Sequence, residues 1–157
     1  MNTFYNEILT EHNMNPYHKN EIEGATFTLE GVNPSCGDDI VLQLKVEDGI
    51  ITDGGYTGDG CAVSQASADM MLDLVIGKPK EEAMRLADIF IRMIKGTASD
   101  DEIDQLEEAS SLRDISHMPA RVKCAVLCWH TMEQMFDAKA PKESLIPKEN
   151  KPEVCHL

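Results

Sequence analysis

Along DIVLQLKVEDGIITDGGY, apolar and polar positions alternate: Ile40, Leu42, Leu44 and Val46 fall on one side, Gln43, Lys45 and Glu47 on the other. A period of two with one apolar face predicts a strand buried on one side and wet on the other. Asp48-Gly49 supplies a hairpin turn into a second strand from Ile50. ATFTLEG, residues 25–31, has strand composition and makes a third, so three antiparallel strands are expected. From Cys61 the period changes. Val63, Ala66, Met70, Met71 and Leu74 follow helical spacing, and Gly77 with Pro79 marks the end. A second helix is predicted from about Pro79 to Lys95, with Ala83, Leu86, Ala87, Phe90 and Ile94 inward. A long third helix runs from Pro119 to about Phe136, its stripe being Val122, Ala125, Val126, Trp129 and Phe136. An opening helix in TFYNEILTEHNMNP places Phe4, Ile8 and Leu9 on one face, with Pro16 beyond its end.

Between the second and third of these helices lies GTASDDEIDQLEEASSLRDISHMP, acidic and with only sparse anchors at Ile103, Leu106 and Leu112. It reads as a partly helical excursion on the surface. The tail from Ala138, rich in Lys, Pro and Glu, reads as mobile. Strands first and helices after predict an α+β fold, a three-stranded antiparallel sheet with helices packed on one face. Residues 1–137 then form a single domain and 138–157 a C-terminal tail.

Charge narrows the partners. With 28 acidic against 14 basic residues and a formal charge of −14, the chain is unsuited to nucleic-acid phosphates or an anionic membrane surface. The opening residues show no basic start followed by an apolar run, so a secretory signal is not expected and a cytoplasmic location is. In that compartment five cysteines point to metal binding or thiol chemistry rather than to a disulfide framework.

Three of those cysteines stand at comparable places. Cys36 lies in NPSCGDDI, in the loop before the hairpin; Cys61 follows the glycine-rich connection GYTGDG and opens a helix; Cys124 lies in the second turn of the last long helix. Thiolates are favoured near helix N-termini. Three thiolates and the carboxylate of Asp38 make a tetrahedral set suited to zinc, and Arg121 and Lys123 stand close enough in sequence to offset its excess negative charge. Spacing alone does not decide the matter. The intervals fit no short zinc-ribbon pattern, and Cys61 and Cys124 read equally well as small buried apolar residues at helix starts. Cys36, in a Gly-Asp loop, fits that second reading badly. Cys128 is expected to pack within the helix layer. Cys155-His156 reads as a chance pair, and His12, His18, His117 and His130 show no ligand spacing.

NPSCGDDIVLQLKVEDGIITDGGYTGDGCAVSQASADMM, together with RVKCAVLCW, resembles the U-type iron–sulfur assembly proteins, the family of IscU, SufU and the NifU N-terminal domain. Scaffold members usually carry a histidine directly before the third cysteine, where this chain has Lys123. That departure and the acidic segment at 97–117 resemble the SufU branch. The resemblance implies a zinc-dependent sulfurtransferase that accepts persulfide sulfur from a pyridoxal-phosphate cysteine desulfurase of SufS type. The sulfur is relayed for iron–sulfur cluster assembly, with a downstream assembly scaffold as a further partner. It implies Cys36, Asp38, Cys61 and Cys124 as zinc ligands and Cys36 as sulfur acceptor, released when a partner's histidine replaces it. Arg121 is implied as a basic residue beside the site. The alternatives are a scaffold on which a transient [2Fe–2S] cluster is assembled, and a non-catalytic zinc-stabilised interaction module.

Overall fold

The computed structural model describes residues 7–137 and 154–156. Strands β1 (Phe27–Asn33), β2 (Asp38–Glu47) and β3 (Ile50–Asp59) form an antiparallel meander, preceded by helix α1 (Glu7–Met14). Helices α2 (Ala62–Val75), α3 (Lys80–Lys95) and α4 (Asp100–Asp104) follow, then a 3₁₀ segment over Glu107–His117, and α5 (Pro119–Phe136). The predicted antiparallel sheet with its helices is therefore what the chain forms. A short fourth strand, β4 (Val154–His156), extends it by pairing parallel with β1, Val32 opposite His156, so the sheet order is β3-β2-β1-β4. The mobility expected of 138–157 falls mostly on residues outside those described, as does Phe4; at 154–156 the backbone is strand.

The β2–β3 turn has Asp48 at φ 53° and Gly49 at φ 80°, the left-handed pair that a tight hairpin needs. Ile40, Leu42 and Leu44 are buried as their alternation requires. β3 continues through the glycine-rich stretch that sequence suggested was a connection. Gly54 and Gly55 lie inside the strand because neighbours crowd them: a side chain at Gly55 would collide with the backbone carbonyl of Asn20. A strand interior that rejects side chains shows no alternation to read.

The helices lie as a layer over the buried face. Trp129 of α5 stacks on Phe90 of α3 with centroids 4.1 Å apart. The Trp129 indole N–H donates to Ser67 of α2 at 2.9 Å, and Ser67 donates to the Ala125 carbonyl at 2.7 Å. Three helices are thereby joined at one point, and α5 is held rigidly over β1.

The acidic segment differs from its expected form. Ile103, Leu106, Ala109, Leu112 and Ile115 are all buried, so its inner edge is core while its charges face water. α4 begins with a capping box between Ser99 and Glu102, and Arg92 of α3 pairs with Glu102 at 2.8 Å. Glu108 reaches across to His12 at 2.6 Å, on the opposite side of the ring from Asp69, also at 2.6 Å. Asp69 further accepts the backbone N–H of Tyr17 and His18. His12, which carries no ligand spacing, is thus a buried cross-link between α1, α2 and the 3₁₀ segment. Burial alone would push its imidazole down, but the carboxylates of Glu108 and Asp69 outweigh that and raise it above the usual histidine range.

Candidate metal centre

Asn33 ends β1 and Asp38 begins β2, and the two are register partners. Four residues lie between them, with Gly37 at φ 74° and with the Cys36 N–H donating to the Asn33 carbonyl at 3.2 Å. The left-handed glycine lets the chain reverse tightly, which raises Cys36 to the surface while Asp38 turns inward. Asp38 is 1% exposed, whereas the next residue, Asp39, faces water. The strand's alternation separates two adjacent carboxylates by environment.

Asp38 meets the start of α2. Its Oδ1 accepts the Cys61 backbone N–H at 2.8 Å and lies 3.1 Å from the Ser64 hydroxyl, whose single proton can serve either it or the Cys61 carbonyl. Its Oδ2 accepts from the Asn33 amide at 3.1 Å. Cys61 is the N-cap of α2, with extended backbone and no hydrogen bond from its side chain to the helix end. Asp38 thus anchors the N-cap residue by its backbone amide, and the Cys61 thiol makes no capping bond of its own.

Cys124 arrives from α5, which Pro119 opens at its first position. It is fully buried, and Asn33 Nδ2 lies 3.6 Å from its sulfur. One donor atom each from Cys36, Asp38 and Cys124 all lie within 4.8 Å of one another. Two soft sulfurs and a hard oxygen at that spacing could hold a metal ion. Cys61 is outside this triple, although its thiol neighbours that of Cys124. Burial first, then contacts with Cys36, Asp38 and Cys61, push the Cys124 thiol far up. Without a cation the cluster therefore favours protonated sulfur at Cys124, and a bound cation would reverse that preference.

Arg121, half-buried one turn before Cys124, points Nη1 at the Cys36 sulfur at 3.6 Å. Contact with Cys124, and then the charges of Cys61 and Cys36, hold its guanidinium pKa up. The Ala120 carbonyl also lies 3.6 Å from the Cys36 sulfur. Lys123 is exposed. Of the residues set aside by sequence, Cys128 is buried and His117 is exposed. Two contributors carried no sequence signal of their own, Asn33 and Ser64. Each is a polar residue at an element end, a place where polar residues are ordinary.

A small α+β chain that gathers cysteines and an aspartate from a hairpin turn and two helix starts defines a class of metal- or thiol-handling proteins. Residues 4–135 match the NifU-like N terminal domain, and the chain belongs to that family. It is 36% identical over 145 residues to the iron–sulfur cluster assembly scaffold protein IscU of Streptococcus pyogenes serotype M1, covering 92% of this chain and 90% of that one. It is 37% identical over 134 residues to the zinc-dependent sulfurtransferase SufU of Bacillus subtilis, covering 85% and 90%. Among solved structures it is similar to a protein of Fervidobacterium islandicum AW-1 assigned as an iron–sulfur cluster assembly scaffold for the SUF system. The TM-score is 0.81 at 32% identity, covering 86% of this chain and 98% of that one. Among the described residues no helix is long and apolar enough to cross a membrane.

Proposed function

We propose that the chain is a zinc-dependent sulfurtransferase that takes sulfane sulfur from a cysteine desulfurase and relays it for iron–sulfur cluster assembly. Cys36, Asp38, Cys61 and Cys124 are its metal ligands. The observation that carries this reading is the contrast between two thiols of one cluster: Cys124 is fully buried on a helix, whereas Cys36 is partly exposed on a glycine turn beside Arg121. The donor set fits zinc, and zinc when bound would keep the thiols deprotonated and shielded. Cys61 is the fourth ligand, its backbone already fastened to Asp38.

Transfer needs a thiolate that can reach a partner's active site, and Cys36 is the one on a hinge. Its sulfur attacks the outer sulfur of the desulfurase persulfide. A new S–S bond forms on Cys36, the donor's S–S bond breaks, and the donor cysteine leaves as thiolate. Arg121 steadies the negative sulfur before and after the exchange. The desulfurase is a protein of SufS type.

A second reading, a scaffold for a transient [2Fe–2S] cluster, is favoured by the scaffold name of the Streptococcus pyogenes relative and uses the same thiols. Native mass spectrometry of the purified chain, before and after incubation with a cysteine desulfurase and cysteine, separates the two. One zinc per chain and a sulfur adduct mapped to Cys36, absent from Cys36→Ser, is expected. Iron with inorganic sulfide and no adduct would sink the transfer reading.

A further inference from the structure

Asn33 is fully buried, and among the described residues its side-chain amide contacts only the metal cluster. Its Nδ2 donates to Asp38 Oδ2 at 3.1 Å and lies 3.6 Å from Cys124 Sγ. The orientation follows from chemistry, since a carboxylate oxygen can only accept and the amide must turn its NH₂ group toward it. That leaves Asn33 Oδ1 buried with no hydrogen-bond partner among the described residues. An orphaned buried acceptor weakens a fold, yet a small apolar residue here would only move the orphan to Asp38 Oδ2, which takes its hydrogen bond from this amide. What the amide supplies is two N–H groups, one for the carboxylate and one for a sulfur.

This makes the thiols unequal. Cys124 accepts a neutral, rigidly held N–H inside the protein, which draws charge from its sulfur and holds its side chain in one place. Cys36 also lies beside Asp38 and Cys124, but the hydrogen-bond partners of its sulfur outside the cluster are Arg121 and the Ala120 carbonyl, both in the first turn of α5. Asp38 is held from both sides, by Asn33 on one oxygen and by Cys61 and Ser64 on the other.

We infer that Asn33 is a positioning residue whose one amide fastens Asp38 and Cys124 as the fixed arm of the metal site and so leaves Cys36 as the thiol that is released. The inference rests on the metal-site reading above and adds to it a residue that explains why Cys36, rather than Asp38 or Cys124, is the ligand that lets go.

The test uses the full chain as wild type, Asn33→Ala and Asn33→Ser. Zinc-loaded protein is treated with iodoacetamide and the alkylation of Cys36 and Cys124 is followed by peptide mass spectrometry; Co²⁺-loaded protein is followed by its visible absorption. In the wild type Cys36 is alkylated well ahead of Cys124. In Asn33→Ala that preference is expected to fall about tenfold, as outer-shell losses do, with shifted Co²⁺ bands. Melting of the metal-free protein is expected to fall as well, because Asp38 Oδ2 loses its donor, so selectivity is the deciding readout. Asn33→Ser, with one donor in place of two, should fall between. Wild-type selectivity and unshifted Co²⁺ bands in both variants would overturn the inference alone. So would a loss of metal-free stability with selectivity intact, which is what a purely structural amide predicts. A wild-type chain that takes up neither zinc nor Co²⁺ would overturn the metal-site reading itself, and the inference with it. Should Asn33→Ala fail to fold, the serine variant decides.

Discussion

At Gly60, the residue before Cys61, a side chain would press on the Ser64 hydroxyl and come within 3.0 Å of Asp38 Oδ1. Neither residue could retreat without giving up a hydrogen bond inside the cluster. Gly60→Ala is therefore expected to weaken metal binding by about tenfold or more without touching a ligand, measured by competition with a chromogenic chelator. The His12 cross-link lends itself to a pH test. Its folded-state pKa is raised, so its contribution to stability is fully present below the unfolded value of 6.5 and is lost as pH rises through the folded value. Between pH 6 and 9 the melting temperature of wild type should decline more than that of His12→Gln, which carries no titrating ring. Parallel curves would show that Asp69 and Glu108 do not hold the ring charged.

Among the elements, the 3₁₀ segment over Glu107–His117 behaves as core. Leu106→Ala, at its N-cap, and Leu112→Ala within it each empty a buried site and are expected to cost about 2–5 kcal/mol in denaturant unfolding, where a surface excursion would lose almost nothing. The segment was hard to read because its apolar residues are few and spaced unevenly, and acidic neighbours dominate any window. β2 was legible for the opposite reason: Ile40 to Val46 meet the core at every second position, so local pattern and tertiary role coincide. β3 was half legible, since its glycines answer to a close approach by Asn20, which no local pattern contains. The metal centre divides in the same way. Cys36, Asp38, Cys61 and Cys124 could be named from motifs that resemble a family, while interval counting left them undecided. Asn33, Ser64 and the His12–Asp69–Glu108 link are contacts between segments far apart in the chain, and sequence periodicity does not report those.

For the whole molecule, the centre is assembled from remote pieces. Asn33 and Cys124 touch although 91 residues separate them, and Arg121 reaches Cys36 across 85. Bringing such segments together carries the loop-closure cost of nearly the entire described fold, and that cost falls on the fold before any ion can benefit from it. A metal that binds only the finished site stabilises by mass action, so added zinc should raise the melting temperature in a concentration-dependent way. The kinetic signature is more specific. In stopped-flow experiments zinc should leave the refolding rate unchanged and slow unfolding, the signature of ligands that meet after the rate-limiting step. The centre would then act as a checkpoint on biosynthesis. On the proposed function, a chain that has joined its hairpin to α2 but has not yet docked α5 would lack Cys124 at the centre, would not retain the ion, and would have no armed thiol to offer a desulfurase. Loading with metal would certify that the chain is complete before sulfur is entrusted to it.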